Sequence, residues 1–209
     1  NYTAQDQHFL FQMRVIYEDG DSALVVSNSE WLALDGDAAI VDQGNLGRGS
    51  FYYAPREGID ANHYPFGWRA AGFDAAGWRN AVEKAPIDNL QASATSNTVL
   101  HRLAPARVAM KGPNHYFVDF GRVVLAGIQL DVVSDAGRPV EIRLGEELEA
   151  ADAVRPMRTG NTYQEVWTLK EGPQVLENWG YRAFRYAEIL NAPEGFGADS
   201  IRALVLRHP

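Results

Sequence analysis

Cysteine is absent from this 209-residue chain. That excludes disulfides, thiolate nucleophiles and cysteine-ligated zinc, while leaving the compartment open. A basic cluster is missing as well: 19 Lys and Arg stand against 27 Asp and Glu, a formal charge of −8. Nucleic acid and anionic membrane, which both need a basic footprint, are not expected partners. No apolar run approaches the ~18–20 residues that span a bilayer. The stretch "NYTAQDQHFLFQ" lacks a basic n-region, so no signal peptide is expected in it. The histidines at 8, 63, 101, 115 and 208 form neither HxH nor HExxH, and there is no GxSxG, P-loop or GxGxxG. No cofactor is implied, and a structural Ca²⁺ has no ligand spacing to support it.

What is present is strand signal. Five Trp, nine Tyr and nine Phe make a moderately high aromatic load, which suits strands and also sugar stacking. "FLFQMRVIYEDGDSALVVS" reads as two strands around the turn Glu18-Asp19-Gly20-Asp21. "SFYYA" (50–54) reads as a further strand, and 56–80 as an irregular connection in which "AAGWRNAV" could make a helical turn. Residues 84–99 are small and polar. Beyond them "HRLAPARVAMK", demoted at Pro105, is followed by a series of strands with turns at Asp135-Ala136-Gly137-Arg138 and Glu171-Gly172-Pro173. Turn signals recurring roughly every 8–12 residues without helices point to an all-β fold: a β-sandwich or jelly roll at 99–209, a linker at 81–98, and a partial β-sandwich unit at 1–80.

The chemistry-bearing residues have sober readings beside the sharp ones. Asp74 in "GFDAAGW" can cap the turn that follows, with Trp78 as its hydrophobic plug. Asp119 in "FVDFG" lies on the strand face opposite Val118 and Phe120, where Arg122, Arg182 or Arg185 could pair with it. "GEELEAAD" offers Glu146, Glu147, Glu149 and Asp152. Paired carboxylates serve glycoside hydrolysis, but strand neighbours face opposite ways, and a solvated acidic loop is the favoured reading. "NWGYRAFRYAEIL" sets Trp179, Tyr181, Phe184 and Tyr186 among Arg182 and Arg185; it can be a core strand, a docking face or a sugar platform. Trp68, Trp78, Trp167 and Trp179 are the candidate carbohydrate-binding residues, and two of them exposed on one face would favour a binding module. Trp179, Tyr181, Arg182 and Arg185 are the candidate docking set. No catalytic pair can be nominated.

Taken in order, "FLFQMRVIYEDG…VVSNSEW", "REGIDANHYPFGWRAAGFDAAGW", "YFVDFGRVVLAGIQLDV", "VEIRLGEELEAAD" and "YRAFRYAEI" resemble the N-terminal accessory β-sandwich region of bacterial α-L-rhamnosidases, the inverting glycoside hydrolases of family 78. The family's "GFDDSGW" stands here as Gly72 to Trp78 with Ala75-Ala76 in place of Asp-Ser. Its "GFRY" is Ala183-Phe184-Arg185-Tyr186. The resemblance implies a galactose-binding-like jelly roll and a partner: a downstream (α/α)₆ barrel that keeps the catalytic carboxylates and acts on rhamnose-containing glycans. The present sequence has no helical repeat onto which those carboxylates can be carried. An exposed edge on the partial first unit would invite strand pairing with another chain, hence a homodimer.

Overall fold

The computed structural model describes residues 9–47, 55–85, 91, 95, 97–158, 160–178 and 180–208. The expected strand at 50–54 and half of the expected linker lie outside them. In chain order the first strands are β1 (Gln12–Ile16), β2 (Ser22–Val26), β3 (Leu32–Ala33), β4 (Ile40–Asn45), β5 (Pro55–Ile59), β6 (Arg79–Asn80), β7 (Val99–Leu103) and β8 (Arg107–Gly112). There follow β9 (His115–Ser134), β10 (Arg138–Gly145), β11 (Glu147–Ala150), β12 (Ala153–Arg155), β13 (Met157–Arg158), β14 (Asn161–Thr162), β15 (Gln164–Leu169), β16 (Gly172–Glu177), β17 (Arg182–Leu190) and β18 (Ile201–Arg207). Among the described residues the helical content is one 3₁₀ turn, Ala198–Ser200. The molecule is all-β, as its turn spacing and alternation require. The helical turn expected near 75–82 is instead a backbone turn, closed by the Trp78 N–H on the Ala75 carbonyl and running into β6.

The chain forms two compact units, Asn1–Asp35 with Pro65–Ser93, and Gly36–Tyr64 with Ala94–Pro209. Residues 36–64, expected within the first unit, pack with the second. Three side-chain features explain it. The Gln43 amide donates to the Val166 carbonyl (2.7 Å) and accepts from the Val166 N–H (2.8 Å), making both bonds a strand residue would make. The Trp167 indole N–H donates to the Glu57 carbonyl, and the Arg182 guanidinium to the Pro55 carbonyl. The β4–β5 hairpin is thus held to β15, and Asp60 bridges Thr168 just beyond. A Cβ at Gly58 would collide with the Gln43 side chain, so glycine is required there.

The first unit contains two small sheets. β1 pairs antiparallel with β2 through a turn whose Gly20 takes φ +91°, and β3 pairs with β6. Trp31 packs against Phe9 and Phe11 at ring distances of 5.7 and 5.4 Å. No described residue of this unit is buried.

The second unit is an eight-stranded curled sheet ordered β15-β10-β17-β9-β18-β7, with β8 and β16 also on β9. β9 runs for 20 residues through the middle of the sheet. Its start pairs with β8 and the end of β17; its end pairs with β18 and β16. Between them residues 120–123 have no β17 partner, and Gly121 takes φ +79°. A left-handed residue there bends the strand so that both halves bury their apolar face. Val118, Phe120, Val124, Ala126, Ile128, Leu130 and Val132 supply that face on β9; Phe184, Ala187, Ile189, Trp167 and Ile142 meet it.

Candidate functional site

The tryptophans divide sharply. Trp167, expected among the carbohydrate-binding residues, is fully buried in the second unit with its N–H already bonded, so it has no ring face to offer a sugar. Trp78 is half-buried and sits edge-on to Phe73 at 5.6 Å. Trp68 is exposed, with the Arg69 guanidinium over its ring at 5.0 Å. Trp179 lies outside the described residues. In the docking set, Tyr181 is exposed, but Arg182 is only 7% exposed and bonded to Glu165 and Pro55. Arg182 is an internal tie between β17 and the 55–57 segment rather than a docking residue. Arg185 is half-exposed and committed to Asp119.

Asp74 accepts from the Ala76 N–H at 2.9 Å, closing the turn before Trp78. Asp119 receives the Arg185 guanidinium as a fork, 2.9 Å to each oxygen, and the Gly121 N–H at 2.6 Å. Of the three arginines expected to compete for it, Arg185 is the partner, because the irregularity between Phe184 and Tyr186 turns it toward β9. Asp119 therefore binds the kinked backbone of β9 to β17. Its carboxyl is held below the usual range, first by Arg185 and then by the Gly121 N–H, so it stays ionised.

Around this pair runs a charged and aromatic seam that the sequence did not disclose. Arg107 faces Asp119 across the β8–β9 ladder and clasps Asp152 at 2.7 and 2.5 Å. Asp152 occupies the turn of the β11–β12 hairpin at φ +54°. The guanidinium of Arg107 lies 5.3 Å from the Phe117 ring, Phe117 stacks on Tyr186 at 5.7 Å, and Arg185 lies 4.8 Å from Tyr186. Further along, the buried Glu188 carboxylate accepts from Lys111 and His115 (2.7 Å each) and from the Val154 N–H (2.8 Å). Burial pushes Glu188 up; its three donors together outweigh that and hold it down. The acidic stretch at 146–152 thus forms a hairpin fastened to the sheet at Asp152 and Val154 rather than a purely solvated loop. Period-two alternation could have shown that Phe117 and Asp119 share a face of β9; that Tyr186 lies opposite Asp119 needs the β9–β17 register. Nothing local signals the partners of Glu188 or Arg107.

An inverting hydrolase needs one carboxyl kept protonated and another free to activate water. Asp119, Asp152 and Glu188 are instead held ionised by cations and backbone donors. Burial pushes Glu165 up, against the pull of Arg182, but it is 5% exposed and ion-paired. These four carboxylates act as fasteners. Among the described residues no group of His, Asp and Glu is arranged to hold a metal ion.

Two family models match the chain: the α-L-rhamnosidase N-terminal domain over 1–106 and the bacterial α-L-rhamnosidase concanavalin-like domain over 110–207. An α-L-rhamnosidase of Streptomyces avermitilis is 27% identical over 204 residues, covering 94% of this chain and 19% of that protein. The crystal structure of Streptomyces avermitilis α-L-rhamnosidase, described as complexed with L-rhamnose, superposes with a TM-score of 0.68 at 25% identity over 95% of this chain and 19% of that one. The α-L-rhamnosidase from Dictyoglumus thermophilum gives 0.69 at 25% identity, over 96% and 22%. The chain spans about a fifth of the length of the curated relative it matches.

Proposed function

The chain belongs to the α-L-rhamnosidase family, and on that premise we propose that it is a non-catalytic accessory region of a glycoside hydrolase that removes terminal α-L-rhamnose from glycans or glycosides. The observation that carries this reading is the pairing of coverage and chemistry. The match takes in nearly all of this chain but a fifth of the relative, and Asp119, Asp152 and Glu188 are tied up in structural pairs. Its partner is then the catalytic (α/α)₆ barrel of the parent enzyme, where one acid protonates the leaving oxygen and one base activates water. The purified chain is expected to release no chromophore from an aryl α-L-rhamnoside. When it replaces the matched segment of the Streptomyces avermitilis enzyme, turnover is expected to persist. Hydrolysis by the chain alone, abolished by substituting one of its own carboxylates, would sink the non-catalytic reading.

A carbohydrate-binding role has one observation in its favour, the exposed ring of Trp68. Tryptophan fluorescence titrated with L-rhamnose against glucose tests it. A saturable, rhamnose-selective response lost in Trp68→Ala supports binding; a flat response to ~10 mM excludes sites of about 1 mM or tighter that perturb a tryptophan.

A further inference from the structure

The β1–β2 hairpin carries information about a partner in its hydrogen-bond phase. The Tyr17 N–H bonds the Asp21 carbonyl, and the Ser27 N–H bonds the Phe11 carbonyl. Bonded pairs alternate along an antiparallel ladder, so Val15↔Ala23 and Met13↔Val25 are bonded pairs as well. The N–H and C=O of Ser22, Leu24 and Val26 therefore point away from β1. Among the described residues β2 has no other ladder partner. Its sequence, SALVV, contains no charge and no proline, the usual devices that keep an edge from pairing. The apolar side chains on that face are open: Ile16 is 73%, Leu24 60% and Val26 41% exposed.

We infer that β2 is an isologous dimerisation edge whose occupant is β2 of a second copy of this chain. The strand is self-complementary in one antiparallel register. A two-fold axis at Leu24 sets Leu24 opposite Leu24 and Ser22 opposite Val26, each pair exchanging both of its outward-pointing backbone bonds. The two hairpins become one four-stranded sheet, β1-β2-β2-β1. Leu24 of each copy then packs on its mate, and Val26 approaches the Ser22–Ile16 row of the other hairpin. The outer edge favours no such pairing. β1 turns Gln12, Arg14 and Ile16 outward, and self-pairing about its centre would oppose Arg14 to Arg14. Growth stops at the dimer, because joining two copies through β2 leaves only arginine-bearing edges outside. A lone two-stranded hairpin is marginal in water, so the added strands also order the element that makes the contact.

The test uses the intact chain. Light scattering across a concentration series up to about 100 µM is expected to show a monomer–dimer equilibrium, and Leu24→Lys, which places two ammonium groups on the axis, is expected to leave a monomer. Leu24 is exposed, so the substitution does not threaten the fold. A covalent trap gives an independent reading, since the native chain has no cysteine. Directly opposed Cα atoms of a bonded pair lie about 5.5 Å apart, within disulfide range. Under mild oxidation, Leu24→Cys is expected to form a symmetric disulfide dimer at least tenfold faster than Arg14→Cys. A monomer at every concentration, a dimer unaffected by Leu24→Lys, or equal trapping rates for the two cysteine variants would each overturn the inference.

Discussion

Glu188 gathers the Lys111 ammonium, the His115 ring and the Val154 N–H on one buried carboxylate, so much of the β8–β9–β17 face and its hairpin depends on a single charge. Because its folded pKa is depressed, its contribution is complete above the ordinary glutamate value of about 4.3 and is lost as the pH falls through the folded value. Glu188→Gln is expected to lower stability by roughly 2–3 kcal/mol near neutrality, with the gap to wild type closing as the pH falls through the depressed folded value, read from thermal unfolding across pH. Glu165 works with the opposite sign. Burial raises it, so the native state holds the proton more tightly, and stability declines as pH climbs from the unfolded value through the raised one. In the same series Glu165→Gln is expected to gain on wild type as pH rises through that window. Trp167 answers to packing: Trp167→Ala removes a fully buried ring and should cost about 3–5 kcal/mol in denaturant unfolding.

Local punctuation made most strands legible. Pro105 separates β7, which joins β18, from β8, which joins β9; Gly20 and Gly137 take left-handed φ in the turns between strands. Elements whose cause is remote were not legible. β9 reads as two apolar runs with a glycine between them, yet it is one strand of 20 residues, because the Arg185–Asp119 fork holds the bend from across the sheet and the Gly121 N–H closes it on Asp119 from within the strand. Gly121→Ala is expected to cost about 1–2 kcal/mol: the left-handed φ penalises any Cβ, and this one would lie 3.3 Å from the Ala106 Cβ. Likewise, no periodicity announces that Gln43 completes a strand, since its partner Val166 is 123 positions away. Of the candidate site, the pairing of Asp119 with an arginine was readable from alternation and charge. The anchoring of Asp152 and Val154 was not, because a long-range ion pair leaves no mark on the residues flanking it.

The two units differ in how they are held. The second has Phe117, Trp167, Phe184 and Leu130 fully buried; the first keeps every described residue at least partly open. Amide exchange is expected to be fastest in β1 and β2 and slowest in β9, β17 and β18. Mixed isotope experiments at rising protein concentration should selectively slow the Leu24 and Val26 amides if the dimer forms. The second unit is also discontinuous, taking Gly36–Tyr64 from within the run of the first. Cutting the chain to 99–209 would remove the Glu57 carbonyl from the Trp167 indole N–H, and a red-shifted tryptophan emission is the expected sign. The crossing of the chain between units has a genetic consequence. No single breakpoint separates them, so recombination at any one point would split at least one unit or carry part of it along with the other. The pair is expected to be gained, lost and shuffled as one exon-like block.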